Sequence, residues 1–383
     1  MKLHLTNARI VLPDEVLDNG DLVISNGLID AICPNGATKA ETIDLRGQTL
    51  MPGMIDLHCD ALEKEVEPRP NVHLPLGFAC AQADKRNAAA GITTAFHALS
   101  FANDELGVRN NKIAAEIVEA MHSWRCNSLI DNRIHCRYEI TDETAMPILI
   151  DLLKRGRAHM ASIMDHTPGQ GQFKNIAAYR DYLTRTYCKS NDEIDTIIDQ
   201  KIQAAASTGE RIESLAVAAH AAGVSMASHD DDTHERIEMV RRLGADISEF
   251  PISVDAAKFA REQGMFTVFG APNVLRGKSQ SGSVKVMDAI NAGVADCLCS
   301  DYSPAALLTS VFRIAEEANL GLAKTVRMVT AHPARAARMT DRGEVVTGKL
   351  ADLIAVTFQG GMPQASRVWV HGREIFKSFY DGA

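Results

Sequence analysis

Short apolar runs alternate with amphipathic stretches through the middle of the chain, between residues 53 and 337. The runs have the length of buried strands, and stretches such as Asn111–Trp124 and Leu215–Ala222 repeat apolar residues at helical spacing. This alternation predicts a parallel sheet built from strand–helix units. The candidate strands are Met54–His58, Ile92–His97, Arg133–Glu139, Met160–Asp165, Val224–His229, Asp246–Phe250, Phe266–Gly270 and Ala295–Asp301.

About eight strands in roughly 285 residues match the size of a (β/α)8 barrel, so we predict an α/β fold with a TIM-like barrel. The two ends of the chain differ from the middle, because residues 1–52 and 338–383 consist of strand-like segments and turns with little helical periodicity. Turn signals such as Asn26-Gly27 separate these segments. We therefore predict that residues 53–337 form the barrel and that the two ends pair into one small β-sandwich.

Polar residues stand at the ends of the predicted strands. In a parallel barrel the carboxyl ends of all strands lie on one face, where such barrels place their active sites. Several strands that end in histidine or a carboxylate therefore indicate one site rather than scattered core residues. These strand-end residues are His58 and Asp60, Glu139, Asp165 and His166, His229 and Asp230, Glu249, and Asp301.

The first predicted strand carries the most specific of these pairs. Side chains two residues apart on a strand point the same way, so His58 and Asp60 are expected to share one face. An imidazole and a carboxylate in this arrangement are suitable ligands for a divalent metal. A strand that ends in polar residues without binding a metal would have the same sequence pattern. This pair alone therefore does not distinguish a metal site from an ordinary strand end.

Composition narrows the class of protein. The 383 residues are 46% hydrophobic, which is enough for a large core, and no run of about 18 apolar residues predicts a membrane span. The first residues lack the apolar core of a signal peptide, so we expect a cytoplasmic protein with reduced cysteines. A net charge of −9 argues against nucleic-acid binding. Cys297 and Cys299 fit the alternation of a buried strand.

In its order of segments, the chain resembles the amidohydrolase superfamily of metal-dependent hydrolases, over essentially its whole length. The segments are Pro52-Gly53-Met54-Ile55-Asp56-Leu57-His58, Gly91-Ile92-Thr93-Thr94, Ser300-Asp301, Thr330-Ala331-His332-Pro333-Ala334 and Gly348-Lys349-Leu350-Ala351-Asp352-Leu353-Ile354. Members of the superfamily usually carry His-x-His on the first strand, where this chain has Asp60. They also often carry a bridging lysine, and no predicted strand here offers an obvious one.

Within the superfamily, the chain looks like the PhnM family of the carbon–phosphorus lyase pathway, which shares the aspartate at that position. The matching segments are Asp60-Ala61-Leu62-Glu63-Lys64, Pro68-Arg69-Pro70, Met164-Asp165-His166-Thr167-Pro168-Gly169-Gln170, Gln172-Phe173, Ala227-Ser228-His229-Asp230-Asp231 and Gly270-Ala271-Pro272-Asn273-Val274-Leu275-Arg276-Gly277. The resemblance implies hydrolysis of α-D-ribose 1-methylphosphonate 5-triphosphate, a phosphorylated sugar, to the 5-phosphate and pyrophosphate.

The expected metal site combines these residues. We predict the ligands His58, Asp60, His166, His229 and Asp301, with Glu139 as the bridging carboxylate if two ions bind and Asp165 as the runner-up. The resemblance implies that Asp301 is also the catalytic base. Zinc is the expected metal, and manganese or iron would suit the same ligands. The strand count puts His166 and His229 on strands four and five, whereas the superfamily usually draws these ligands from strands five and six.

A triphosphate carries about four negative charges and needs cationic and amide donors around it. The candidates follow the first, fourth and seventh strands, on loops expected at the mouth of the barrel. They are Lys64, Arg69, Gln170, Gln172, Arg276 and Lys278.

An alternative function on the same scaffold is a deacetylase or cyclic-amide hydrolase that acts at carbon. That chemistry needs fewer cations and usually accompanies His-x-His and a bridging lysine. A homodimer is compatible with the superfamily, although no feature of the sequence requires one.

Overall fold

Strands and helices alternate through the centre of the chain in a computed structural model, which describes residues 2–34, 40–102, 110–167, 176–187, 190–205, 208–279 and 282–379. The strands are β1 (Lys2–Val11), β2 (Val16–Ser25), β3 (Leu28–Ile32), β4 (Glu41–Asp44), β5 (Thr49–Pro52), β6 (Met54–Cys59), β7 (Ile92–Phe101), β8 (Asp131–Glu139), β9 (Met160–Met164), β10 (Ser225–His229), β11 (Ile247–Glu249), β12 (Phe266–Gly270), β13 (Cys297–Cys299), β14 (Leu353–Gln359), β15 (Met362–Val370) and β16 (Arg373–Lys377).

Helices follow most of the central strands. They are α1 (Ala61–Val66), α2 (Leu76–Ala90), α3 (Asn111–Trp124), α4 (Met146–Lys154), α5 (Ile176–Tyr187), α6 (Asn191–Ala205), α7 (Thr208–Ala221), α8 (His234–Arg242), α9 (Val254–Glu262), α10 (Ala271–Arg276), α11 (Val286–Asn291), α12 (Pro304–Glu317), α13 (Leu322–Arg327) and α14 (Ala331–Ala336). Among these helices none combines the length and the apolar character that a membrane span requires.

The strands β6 to β13 pair in parallel in an eight-stranded sheet, each beside its neighbour in sequence. The last strand returns to the first, because the Asp301 backbone N–H donates to the His58 carbonyl at 2.9 Å and the Asp60 N–H donates to the Asp301 carbonyl at 2.8 Å. These bonds nearly close the sheet into a barrel. The predicted barrel and its strand count are therefore confirmed, with the carboxyl ends of the strands on one face.

Alternation along β8 shows how the sequence fixes the two sides of the barrel wall. Ile134, Cys136 and Tyr138 pack into an apolar cluster with residues of the surrounding helices. His135 instead contacts Ser162 of β9, with its Nε2 2.8 Å from the hydroxyl oxygen. Because side chains alternate along a strand, His135, Arg137 and Glu139 face the barrel interior.

Most barrel strands differ from the predicted bounds by one or two residues at an end, and β7 and β13 differ the most. β7 continues to Phe101, because its last residues pair with residues 135–138 of β8. β13 ends at Cys299, and Asp301 has left the extended conformation with a φ of 55°. Cys297 and Cys299 are both buried in the interior cluster of the barrel, which confirms that they alternate along a buried strand.

Strands from both ends of the chain form one mixed sheet, in the order β16-β15-β14-β5-β1-β2-β3, with β4 paired to β1. β5 joins the two halves, since it pairs with β1 on one side and with β14 on the other. Side chains of both halves, among them Leu5, Leu50 and Trp369, share one buried cluster. The pairing of the two ends is thus confirmed, and the exact bounds at residues 52 and 338 stay a prediction.

Gly53 lies where the chain passes from the mixed sheet into the barrel. Its N–H donates to the Asp352 carbonyl at 2.8 Å, and a Cβ at this position would lie 2.3 Å from side-chain atoms of Thr93. Such a contact is far inside van der Waals distance, so only glycine allows β5 and β6 to follow each other directly here.

Arg342 ties the C-terminal segment to the barrel. Its guanidinium is buried and donates to the Thr94 hydroxyl and the Asp131 carboxylate, both at 2.9 Å. Asp341 pairs with it at 3.0 Å, and the carboxylate of Asp352 lies 3.6 Å away. The network connects β7, β8 and the segment that leads into β14.

We expect Arg342→Met to lower the free energy of unfolding by about 3 kcal/mol or more, because it leaves buried carboxylates without their partner. Urea unfolding followed by circular dichroism measures this. Arg335→Met is the matched control, since Arg335 is 60% exposed in its ion pair with Glu344 and should cost less than about 1 kcal/mol. Equal losses in the two variants would contradict a structural role for the Arg342 network.

Candidate active site

The strand ends bring the predicted metal ligands to one face of the barrel. His58 lies near the end of β6, and Asp60 begins helix α1 just after it. Glu139 and His229 end β8 and β10, and His166 follows β9 by two residues. Asp301 follows β13 and is hydrogen-bonded to the backbone at the end of β6, as described above. The ligand roles of these residues remain a prediction.

One cluster of donor atoms is centred on His58. Its Nδ1 lies 3.1 Å from Glu249 Oε1, and His58, His229 and Glu249 each offer a ligand atom within 4.8 Å of the others. All three are buried. Burial opposes the charge of each group, but Glu249 raises the pKa of His58 above its usual range, and His135 followed by His58 lowers the pKa of Glu249 below its own. A metal ion bound here would take the place of the extra proton on His58, because imidazole binds metals in its neutral form.

A second cluster shares His229 with the first. His166, His229 and Asp230 offer ligand atoms within 4.8 Å of one another, and Asp230 Oδ2 lies 3.0 Å from His229 Nδ1. Glu139 adjoins this cluster, with its Oε2 3.0 Å from His166 Nδ1. Because His229 belongs to both sets, the two clusters lie side by side and could serve two ions.

Asp60 and Asp301 are adjacent at the junction of the first and last strands. Burial, followed by the Asp60 carboxylate, raises the pKa of Asp301 to about 6. Asp60 Oδ1 lies 3.5 Å from His58 Nε2 and 3.5 Å from Arg137 Nη1. The side chains of His58 and Asp60 thus lie close together, although Asp60 follows the end of β6, and Arg137 is an additional charged group beside them.

The donor set fits a divalent metal. Imidazole and carboxylate are the ligands that zinc, manganese and iron accept, and a ligand bond of about 2.1 Å separates two ligand atoms by roughly 3–4 Å. Over the described part of the chain, the buried side-chain atoms without a well-formed hydrogen bond include Glu139 Oε2, His229 Nδ1, Asp230 Oδ2 and Glu249 Oε2, although the first three lie 3.0 Å from an ion-pair partner. Buried polar atoms are normally hydrogen-bonded, so these four have capacity left for a ligand such as a metal ion.

Asp165 takes a different position from the other strand-end residues. Its Oδ2 accepts a hydrogen bond from Arg236 Nη1 at 2.9 Å, and its Oδ1 accepts from the Thr167 N–H at 3.1 Å. It lines a cavity together with Ile163, which packs on the outer side of the barrel. This geometry favours Glu139 over Asp165 as the bridging carboxylate.

The predicted phosphate-binding cations lie on the segments that were expected. Lys64 is exposed on α1, Arg69 is exposed in the loop after it, and Arg276 and Lys278 are exposed at the end of α10. Gln170 and Gln172 fall outside the described residues. The exposure of the four cations is compatible with a role in substrate binding, which stays a prediction.

Sequence reasoning missed two buried side chains and one partly buried ring at this site. His135 and Arg137 precede Glu139 by four and two residues on β8, so strand alternation alone would have placed them on the same inner face. Phe250 packs against His58 and His229, with ring centroids 5.0 and 5.1 Å away, and has a φ of 52°. Glu249 was recognised as a strand end, but its pairing with His58 was not. This pairing joins β6 to β11, and no local sequence pattern predicts it.

Comparison with known proteins agrees with this architecture. The profile of the family described as "Amidohydrolase family" matches residues 49–375. A relative from Escherichia coli (strain K12), named alpha-D-ribose 1-methylphosphonate 5-triphosphate diphosphatase, is 33% identical over 377 residues, which are 97% of this chain and 100% of the relative. A dihydroorotase from Desulforapulum autotrophicum is 32% identical over 80 residues, which are 20% of this chain and 19% of that protein.

Solved structures share the fold at low sequence identity. N-acetylglucosamine-6-phosphate deacetylase from Pasteurella multocida superimposes with a TM-score of 0.63 at 15% identity, covering 98% of this chain and 99% of its own. A 5-methylcytosine deaminase from Klebsiella pneumoniae gives 0.65 at 14% identity, covering 99% and 98%. These likenesses support the fold and not a particular reaction.

We expect Glu139→Ala to lower the metal affinity at least 10- to 100-fold, because it removes a buried carboxylate that contacts His166. Metal content per chain, measured by mass spectrometry after dialysis against a metal buffer, reports this directly. Glu143→Ala is the control, since Glu143 is 65% exposed in its pair with Arg211. Unchanged metal content in Glu139→Ala would remove this residue from the metal site.

Proposed function

Because the chain belongs to the amidohydrolase family, we propose that it is a metal-dependent hydrolase that releases pyrophosphate from α-D-ribose 1-methylphosphonate 5-triphosphate. The observation that carries the proposal is the 33% identity to the diphosphatase from E. coli over 97% of this chain. The position of Asp60, where the superfamily usually has histidine, supports the same assignment.

We propose that His58, Asp60, His166, His229 and Asp301 hold the metal, with Glu139 bridging when two ions bind. Glu249 lies within the same donor cluster as His58 and His229 and adds a further carboxylate to the shell. Zinc is the expected ion, with manganese or iron as alternatives. When bound, a divalent metal lowers the pKa of a water ligand from 15.7 to about 7 and withdraws charge from phosphoryl oxygens.

Asp301 accepts the proton of the attacking water in this proposal. Its backbone is fixed by hydrogen bonds to the end of β6, and burial beside Asp60 makes it a better proton acceptor than an exposed carboxylate. The water oxygen forms a bond to phosphorus, the anhydride P–O bond breaks, and its electron pair leaves with pyrophosphate. Asp301 then returns the proton to solvent.

The exposed cations Lys64, Arg69, Arg276 and Lys278 are proposed to bind the phosphate chain at the mouth of the barrel, with Gln170 and Gln172 as further contacts. Charge-assisted hydrogen bonds from such side chains are the usual means of holding a polyphosphate. The cytoplasmic location and a homodimer stay predictions of the sequence.

Hydrolysis at carbon receives less support. The dihydroorotases that match this chain do so over about one fifth of its length, with 80 residues in one case. The deacetylase and the deaminase of similar fold are 15% and 14% identical, so the barrel itself says nothing about the bond that is cleaved.

We expect Asp301→Asn to lower kcat by about 10²- to 10⁴-fold, the usual contribution of a general base, while the fold is retained. Steady-state kinetics measure the loss of kcat, and thermal unfolding shows whether the fold is retained. Asp255→Asn serves as the control because Asp255 is 80% exposed on helix α9, in an ion pair with His234. Turnover of Asp301→Asn at the wild-type rate would rule out its role as the base.

The substrate is tested by following pyrophosphate release from ribose 1-methylphosphonate 5-triphosphate, beside ATP and an N-acetylated sugar, with and without a chelator. We expect pyrophosphate from the first compound only in the presence of metal, because the phosphoryl charge must be neutralised. Acetate release with an unreacted triphosphate would instead establish the reaction at carbon.

A further inference from the structure

Arg137 is a buried cation at the centre of the site. Only 4% of the residue is exposed, and it lies on the inner face of β8 between His135 and Glu139. Its Nη1 approaches Asp60 Oδ1 to 3.5 Å. Burying a guanidinium in the barrel interior costs free energy unless the group is paired and hydrogen-bonded.

The contacts of Arg137 leave part of its hydrogen-bonding capacity unused. A guanidinium has five N–H donors, and within the described residues the buried Nε of Arg137 has no hydrogen-bond partner. The approach to Asp60, at 3.5 Å, is also longer than a good charge-assisted bond of about 2.8 Å. Arg342, which has a structural role, instead donates to Thr94 and Asp131 at 2.9 Å.

The charges around Arg137 explain why a cation is needed there. The surrounding strand ends contribute the carboxylates Asp60, Glu139, Asp230, Glu249 and Asp301. A substrate with several negative charges meets repulsion from these groups, even when divalent ions compensate most of their charge. A permanently charged side chain in a place that water does not screen is the most effective compensation.

We propose that Arg137 binds the non-bridging oxygens of the phosphoryl group that is attacked, and that this contact selects a phosphoanhydride over a neutral amide. The inference rests on the proposed function and adds to it a residue for recognition of the reacting group. The planar fork of arginine matches two oxygens of a phosphoryl group, whereas a lysine offers a single point charge. A neutral acyl group carries no net negative charge and is therefore attracted less strongly to a buried cation.

The exposed cations cannot replace this contact. Lys64, Arg69, Arg276 and Lys278 all lie at the surface, where water and salt screen their charge. Arg137 lies instead beside His58 and Asp60, the residues proposed to hold the metal. We therefore assign the tail of the polyphosphate to the exposed group and the reacting phosphoryl to Arg137.

The test compares Arg137→Gln and Arg137→Lys with the wild type, all loaded with metal. Three quantities are measured for each: kcat/KM for pyrophosphate release, the dissociation constant of inorganic pyrophosphate by calorimetry, and metal content per chain. Arg155→Gln is the charge-matched control, because Arg155 is 45% exposed in surface ion pairs. Thermal unfolding establishes that each variant is folded, and the lysine variant keeps the charge if the glutamine variant does not fold.

We expect Arg137→Gln to lower kcat/KM by about 10²- to 10³-fold and to weaken pyrophosphate binding, with unchanged metal content, as for the loss of one donor to a developing oxyanion. Arg137→Lys should recover less than a tenth of the loss, because it lacks the fork. The control should match the wild type in all three measurements.

Loss of metal in Arg137→Gln would overturn the inference, because it would show that Arg137 only holds Asp60 in place. Full activity of Arg137→Lys, or a loss below about tenfold in Arg137→Gln, would overturn it as well. If the wild type releases no pyrophosphate from the sugar triphosphate, the proposed function fails, and binding of inorganic pyrophosphate to wild type and Arg137→Gln still decides the role of Arg137.

Discussion

Two backbone hydrogen bonds between the ends of the first and last barrel strands hold the site together. They join Asp301 to His58 and Asp60, the residues proposed as metal ligands and base. Asp56 supports the same junction from within β6, because its Oδ1 accepts hydrogen bonds from the backbone N–H groups of His58 and Ser300. Without this junction the barrel would be an open sheet, and the two ends of the ligand set would lie on opposite edges.

The carboxyl ends of the barrel strands bring several ionisable side chains together in a buried site. Oppositely charged groups lie beside one another there, His58 Nδ1 3.1 Å from Glu249 Oε1 and Arg137 Nη1 3.5 Å from Asp60 Oδ1. Burial lowers the pKa of His135 to about 4, so this ring stays neutral between Glu249 and Ser162. The site is therefore a balanced set of charges whose parts depend on one another, and a single substitution changes the environment of several.

The sequence reveals the barrel well because each strand is a local apolar run with a polar end, and parallel strands must place those ends together. It reveals His58, Glu139, His166, His229 and Asp301 for the same reason. Contacts between residues that are distant in sequence cannot be predicted in this way. Glu249 reaches His58 across 191 positions of sequence, and Arg137 reaches Asp60 across 77, so neither pairing has a local signature. Asp165 shows the converse case, since a strand-end carboxylate can point outward to a partner such as Arg236.

The mixed sheet has a consequence for protein synthesis. β5 is flanked on one side by β14, and Pro52 pairs with Leu353. At about 5–20 residues per second, the ribosome needs roughly 15–60 seconds to make the chain between these two residues. During that time β5 lacks its neighbour and presents an open edge that could pair with other chains. Completion of the mixed sheet must therefore wait until β14 has been synthesised.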